Sequence, residues 1–237
     1  MKKLERLYEG KAKIIYSTEN PDLVIQYFKD DASAFNGAKK GTIVEKGIVN
    51  NQVSSRIFQR LNDRGIPTHF VETLGDREML VKKLEIIPLE VVLRNVTAGS
   101  LSKRMGVEEG KKLKQPIMEF YYKDDALGDP MINESHIAGF DLASEEEMRA
   151  IKSMGFEINE LLIDFFKARK IRLVDFKLEF GRHKDNILLG DEISPDACRL
   201  WHWDTNEKLD KDRFRFDLGQ VEEKYQLVYR MVCQQGE

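Results

Sequence analysis

The chain has 237 residues, 41% hydrophobic and 33% charged, enough for a real core in one large domain or two modest ones. Its 38 basic and 41 acidic side chains leave a net charge of −3, which argues against bulk electrostatic binding to nucleic acid or to an anionic membrane. Local basic pockets stay compatible with that balance.

Residues 1–85 read as short strands and turns around one helix. Ala12–Tyr16 and Val24–Phe28 have strand character and are joined by the turn-prone Ser17–Asp22. Val49, Val53, Ile57 and Leu61 recur every four residues, which predicts an amphipathic helix over 47–64, stopped by Gly65 and Pro67. Thr68–Leu74 and Glu78–Leu84 read as a hairpin around Gly75-Asp76. Leu84–Leu89 is the expected linker, because Pro88 cannot donate in a central strand. The chain is thereby divided into a β-rich lobe, 1–85, and a mixed α/β lobe, 86–237.

In the second part, Glu90–Val96 reads as a strand and Ser100–Met105 as a short helix. Residues 106–140 read as a charged, loop-rich segment. Ser144-Glu145-Glu146-Glu147 is a capping-box start for a long helix whose apolar face includes Ile151, Ile158, Leu161, Leu162 and Phe165. Strands over 171–180 and 187–193 follow, with a reversal over Gly181–Asn186. A helix near 219–233 closes the chain. The run Lys208–Arg215 reads as a solvated loop or helix cap.

Chemistry concentrates in a few places. In Val174–Gly181, read as a strand, Val174, Phe176, Leu178 and Phe180 share one face, and Asp175, Lys177 and Glu179 share the other. An acid–base–acid row suits a site that handles a metal ion and phosphates, although a half-exposed strand with an internal salt bridge would show the same row. Tyr8-Glu9-Gly10-Lys11-Ala12-Lys13 opens a strand with a glycine that permits close backbone approach and two lysines able to reach phosphate oxygens. It is neither a Walker A motif nor a GxGxxG. Glu90–Ser100 ends a strand in a small-residue turn where helix-start N–H groups, Ser100 and Arg94 could grip a phosphate monoester; a capping serine beside a solvated arginine is the plainer alternative. After the reversal at Gly181, Asp191 could join Glu179 at a magnesium ion, with the hairpin register left open. Arg199 stands shortly after the return strand as a further anion contact. The acidic loop Lys123–Pro130 is a weaker candidate, since such loops usually face water.

Other residue types are less informative. Cys198 and Cys233 have neither CxxC nor paired-histidine spacing, which excludes a disulfide scaffold and a cysteine-based zinc site. Cys198 is expected to be packed, and His69, His136, His183 and His202 to be structural or surface residues. The start Met1–Glu5 lacks the apolar core of a signal peptide and no run of about 18 apolar residues occurs. A cytoplasmic protein is expected.

Taken in order, Tyr8–Lys13, Glu90–Ser100, Asp129–Glu134, Val174–Gly181 and Asp191–Arg199 resemble the SAICAR synthetases of purine biosynthesis, over essentially the whole chain. One departure follows Trp201, where His202 stands in place of the usual acidic residue and Asp204 comes later. The resemblance implies an α+β, two-lobed fold with a kinase-like nucleotide lobe. It implies a reaction in which ATP, carboxylated aminoimidazole ribotide and L-aspartate give the succinocarboxamide, ADP and phosphate. A magnesium requirement and a homo-oligomer, most often a dimer, come with it. Carried onto this chain, Gly10, Lys11, Ala12 and Lys13 cover the ATP phosphates, and Lys82 and Leu84 add to the nucleotide pocket. Glu179 and Asp191 hold the nucleotide's magnesium, Lys177 stabilises the transferring phosphoryl group, and Asp175 orients Lys177 or accepts the amine proton. Arg94, Ser100 and Arg199 grip the ribotide phosphate, Asp129 binds a further magnesium, and the L-aspartate pocket stays unplaced.

Two rival readings exist. A kinase acting on a protein or small alcohol lacks support, because the chain has neither a His-Arg-Asp catalytic loop nor Asp-Phe-Gly. A nucleotide-sensing protein without turnover would bind ATP but gain nothing from the Lys177 row.

Overall fold

The computed structural model describes residues 1–35 and 37–234. In chain order it runs β1 (Arg6–Glu9), β2 (Lys13–Ser17), β3 (Leu23–Phe28), β4 (Asp31–Ala34), β5 (Lys39–Thr42), α1 (Lys46–Asp63), β6 (Phe70–Thr73), β7 (Glu78–Lys82) and β8 (Glu85–Val96). Then come α2 (Gly99–Met105), β9 (Lys112–Tyr122), β10 (Met131–Ile132), α3 (Glu134–Gly139), α4 (Glu145–Lys167), β11 (Ile171–His183), β12 (Asn186–Leu189) and β13 (Cys198–His202). The short α5 (Asp212–Arg215) and α6 (Val221–Tyr229) finish the fold, the latter continuing into a π-helical turn, Arg230–Gln234.

Two sheets organise these elements. A five-stranded sheet, ordered β1-β2-β3-β7-β6, is built from residues up to Lys82, and a six-stranded sheet, β10-β9-β8-β11-β12 with β13 also on β11, comes from residues after it. The two sheets make this an α+β fold, and β4 and β5 form a separate hairpin. The expected 47–64 helix is α1, whose apolar stripe Val49, Val53, Ile57 and Leu61 is buried against β3, β6 and β7. From the far end of the chain, α6 also packs on α1. One hydrophobic cluster holds Phe28, Val53 and Ile57 together with Leu93, Ile158 and Phe176. Each such side chain contributes roughly 1.5–3 kcal/mol by leaving water.

The capping box is realised: Ser144 Oγ accepts from the Glu147 amide, and Glu147 accepts from the Ser144 amide. The helix it starts buries Ile151, Ile158, Leu162 and Phe165 across β8 and β11. Among the described residues no helix is long and apolar enough to cross a membrane.

Several local expectations are overturned. The segment proposed as a linker is the start of β8, a central strand between β9 and β11. Pro88 is tolerated there because β11 steps from Glu179 to Gly181 while β8 steps from Glu90 to Ile86, a bulge that requires no amide from Pro88. Its carbonyl still accepts from the Lys123 amide at 3.0 Å. Residues 106–140 are not mainly loop, since β9 alone spans 11 residues of them. Their lysines and Pro116 hide a strand whose burial comes from β8 rather than from its own composition. The reversal after β11 falls later than Gly181, at Lys184-Asp185. The return strand ends at Leu189, so Asp191 lies beyond the ladder, in the left-handed region at φ 58°. Val174 leaves the main core: a bulge between Leu173 and Asp175 turns it onto Val96, Ala98 and Trp201. The charged run near 208–215 is partly interior, with Asp210 and Asp212 buried.

Candidate active site

The site is built on the polar face of β11. Its neighbour β8 runs antiparallel in the register Asp175↔Arg94, Lys177↔Val92 and Glu179↔Glu90. Alternation therefore puts Asp175, Lys177 and Glu179 beside Glu90 and Arg94, while Val91, Leu93, Phe176 and Leu178 go into the core. On the other side, Arg199 of β13 stands opposite Asp175. A cavity of about 350 Å³ opens here, lined by Lys11, Glu90, Arg94, Asp175, Lys177 and Arg199, among others.

Around Lys177 the charge is densely paired. Its ammonium lies 2.5 Å from Glu179, 2.8 Å from Glu90 and 3.8 Å from Asp191. Burial opposes that charge, but Glu179, Asp191 and Glu90 raise the Lys177 pKa well above the ordinary lysine value. Glu179 also takes Lys123 at 2.9 Å, and Lys13 pairs with Asp191 and, at 3.0 Å, with Glu192. Burial likewise works against an ionised Asp191, yet Lys13 and Lys177 hold its carboxyl below the usual range. Lys13, Lys123 and Lys177 thus face Glu90, Glu179, Asp191 and Glu192, a formal excess of one negative charge. The register left open by sequence is resolved, because the Gly190 amide donates to the Glu179 carbonyl at 2.9 Å and leaves both carboxylates around Lys177.

Two strand positions away the sign reverses. Asp175 accepts from Arg94 at 2.8 Å and from Arg199 at 2.9 Å. Arg94 also donates to Glu119 at 2.6 Å, Ser100 at 3.0 Å and Tyr121 at 3.1 Å. Arg199 reaches Asp212 at 2.9 Å, and Asp212 takes Arg215 at 2.7 Å. Burial disfavours the Arg199 charge, but Asp175 and Asp212 drive its pKa far up. Burial and neighbouring Asp212 push the Asp210 carboxyl up to about 7. Arg94, Arg104, Arg199, Arg215, Lys46 and Lys211 face Glu119, Asp175, Asp196 and Asp212, a formal excess of two positive charges.

The remaining sequence candidates are distributed around this centre. Lys11 lines the cavity and pairs with Asp125 at 2.6 Å, so the acidic loop meets the Gly10–Ala12 turn. Gly10 and Ala12 shape that turn through backbone bonds to Lys13 and Lys29. Leu84 packs close to Gly181 and Gly190, where an added Cβ would lie 2.8 Å from it, and Lys82 ends β7 just before. Ser100 does not cap α2, whose cap position is Ala98, but accepts from Arg94. Asp129 sits in the turn of the acidic loop, where its carboxylate accepts from the Asp124 amide at 3.0 Å; it does not line the cavity. Asp175 does not aim Lys177: Glu90 and Glu179 do, and Asp175 joins the two arginines instead.

Sequence reasoning gave no role to Glu90, Lys123 or Asp196, although each falls in or beside a candidate segment, and it missed Glu119, Tyr121, Lys211 and Arg215. Glu90, Val92 and Arg94 alternate along one strand, a signal that could have found Glu90. The others come from segments read as loops. Cys198 is buried as expected, and burial, with Asp175 and Glu192, raises its thiol well above the usual value. His69 is a packed core histidine, its ring edge-on to Phe58 at 5.0 Å and its pKa pulled by burial to about 3.

Among the described residues, no cluster of three or more His, Cys, Asp or Glu is arranged to hold a metal alone. Glu179 and Asp191 nevertheless fit a magnesium ion, which takes one or two carboxylates and completes its shell with phosphate oxygens and water. The excess negative charge around them agrees with that donor set.

The family model for SAICAR synthetase matches residues 6–232. A phosphoribosylaminoimidazole-succinocarboxamide synthase of Caldanaerobacter subterraneus subsp. tengcongensis is 59% identical over 234 residues, covering 99% of this chain and 100% of that one. The crystal structure of the synthase from Ehrlichia chaffeensis superposes with a TM-score of 0.95 at 51% identity, covering 98% of this chain and 100% of that one. A SAICAR synthetase in complex with ADP superposes at 0.93 with 46% identity, covering 97% and 98% of the two chains. With a paired lysine between a negative and a positive patch, and with likeness along its whole length, the chain belongs to the SAICAR synthetase family, ligases of purine biosynthesis.

Proposed function

We propose that the protein condenses carboxylated aminoimidazole ribotide with L-aspartate, converting ATP to ADP and phosphate, by way of an acyl phosphate. The observation that carries this reading is the position of Lys177. It stands between a carboxylate group with one excess negative charge and an arginine array with two excess positive charges. A carboxylate is a poor acceptor for an amine, so it must first be activated. Two unit charges about 4 Å apart repel by about 4 kcal/mol at an effective dielectric near 20, and positioning and neutralisation are the main work in phosphoryl transfer.

In this reading Gly10, Lys11, Ala12 and Lys13 cover the ATP phosphates, with Lys82 and Leu84 beside the nucleotide. Glu179 and Asp191 would hold the magnesium, which when bound neutralises phosphate charge. Lys177 stabilises the phosphoryl group as a ribotide carboxylate oxygen attacks the γ-phosphorus and the bond to ADP breaks. Arg94, Arg199 and Ser100 hold the ribotide phosphate, and Asp175 keeps both guanidinium groups in place. Asp129, on the acidic loop that Lys11 touches through Asp125, would serve a second magnesium nearer the ribotide. The neutral aspartate amine then attacks the acyl carbon, inorganic phosphate leaves with the bonding pair, and the nitrogen loses one proton while keeping one N–H in the amide. The same reading makes the protein a cytoplasmic homo-oligomer, with a dimer favoured.

Single-turnover kinetics with Lys177→Met test it. Phosphate release from ATP should fall by about 100-fold or more, as for loss of one electrostatic contact to a transition state. Release near the unmutated rate would remove Lys177 from phosphoryl transfer. Amide formation that proceeds without ATP would remove the acyl phosphate.

A further inference from the structure

Lys13 is claimed by two neighbouring acids that are not equivalent. Its ammonium pairs with Asp191 and, at 3.0 Å, with Glu192. Along an extended strand consecutive side chains point to opposite faces. These two reach one ammonium because β12 has ended at Leu189 and Asp191 takes a left-handed backbone, φ 58°. The turn is fixed from both lobes' elements. Buried Gln26 of β3 donates through Nε2 to the Asp191 carbonyl at 3.1 Å, and buried Ser54 of α1 donates to the Ile193 carbonyl at 3.2 Å. Within that turn the two carboxylates differ in their surroundings. The Asp191 side chain keeps 19% of its surface exposed and also lies 3.8 Å from Lys177, whereas that of Glu192 keeps 6%. Both Glu192 oxygens are engaged, Oε1 by Lys13 and Oε2 by the Ser194 hydroxyl, which in turn accepts from the Asp196 amide at 3.1 Å.

The inequality matters once a cation claims Asp191. A lysine is a compact charge on a flexible stem, so the acids around it decide where it points. An Asp191 carboxylate turned toward a divalent ion attracts Lys13 less, and the ion itself repels the ammonium. Glu192, buried and locked by Ser194, is unaffected. Resting on the proposed nucleotide site, we infer that Glu192 is the positioning residue of Lys13, holding its ammonium toward the nucleotide phosphates while Asp191 is given over to magnesium. The adjacent acids divide the work, one for the metal and one for the lysine. Glu192 itself touches neither metal nor nucleotide, since both its oxygens are already engaged. A nucleotide that arrives without magnesium leaves both acids on Lys13, so Glu192 contributes most when the metal is present.

Calorimetry with ADP on Glu192→Gln, with and without magnesium, tests the assignment. With magnesium the ADP dissociation constant should rise about tenfold, and without it by about threefold or less. A double-mutant cycle with Lys13→Met shows whether the loss runs through the lysine. In the Lys13→Met background, Glu192→Gln should change ADP affinity by less than about twofold. The ribotide dissociation constant should stay within about twofold throughout, which a general structural defect would not allow. Losses that multiply fully in the double variant, ADP binding by Glu192→Gln as tight as the parent's or tighter, or an equal loss with and without magnesium, each overturn the inference. If Glu192→Gln binds neither ADP nor ribotide and is therefore misfolded, Ser194→Ala, which unlocks the same carboxylate without removing its charge, is judged by the same contrasts. Lys13→Met that binds ADP as tightly as the parent would instead overturn the nucleotide role of Lys13 itself.

Discussion

Arg94 and Asp175 face each other across the β8–β11 ladder and are ion-paired at 2.8 Å, with 3% and 4% of their surfaces exposed. A pair so far out of water is held by more than mutual attraction. Glu119, Ser100 and Tyr121 take the remaining Arg94 donors, and Arg199 takes the second claim on Asp175. Arg94→Ala would strand Glu119 and weaken the hold on Asp175, destabilising the fold by about 3 kcal/mol. Ribotide affinity should fall sharply while ADP affinity holds, as measured by calorimetry with each ligand. Ribotide binding equal to that of the parent would take Arg94 out of the pocket.

Gly99 is pressed against Arg199. A Cβ there would lie 2.6 Å from the guanidinium, and the backbone is left-handed at φ 53°. Gly99→Ala should therefore add about 1–3 kcal/mol of backbone strain and displace Arg199. We expect the ribotide dissociation constant to rise about tenfold, with ADP binding unaltered. Equal loss for both ligands would point to general unfolding rather than to Arg199.

Asp210 gives stability an unusual dependence on pH. Its carboxylate accepts from the Leu200 and Asp212 amides, and burial beside Asp212 raises its pKa to about 7. Unfolded, an aspartate ionises near pH 4. The folded state thus binds more protons between these values, so stability from this group falls as pH rises from about 4 to about 7. Denaturant unfolding of Asp210→Asn should show a smaller decline over that window than the parent. Parallel curves would mean that Asp210 ionises normally.

Ser144 offers a test free of the site. Its hydroxyl accepts from the Glu147 amide, and the Glu147 carboxylate also pairs with Arg182 at 2.5 Å. Ser144→Ala should lower stability by about 1 kcal/mol without changing any KM. A kinetic effect would show that α4 communicates with β11 more directly than packing alone suggests.

Much of the local structure was legible because it depends on short-range chemistry. The α1 stripe, the Ser144 box and the apolar–polar alternation of β11 each follow from spacing within one segment. Segments failed where a neighbour supplied the burial or the pairing. β9 is rich in lysine and contains Pro116, yet β8 recruits it into the sheet. Pro88 ruled out a central strand until a bulge made its missing amide harmless.

The same division holds for the site. By itself the sequence determined which strand carries the Asp175–Lys177–Glu179 row and which turn carries Arg94 and Ser100, because side-chain alternation is a property of one strand. Only the tertiary structure decided what those charges meet. Lys177 turns to Glu90 and Glu179, Asp175 turns to Arg94 and Arg199, and Asp196 meets Lys46, 150 residues away in the chain. The physical reason is that a charge's energy depends on distance and desolvation, both of which are set by strand register and by elements far apart in the chain.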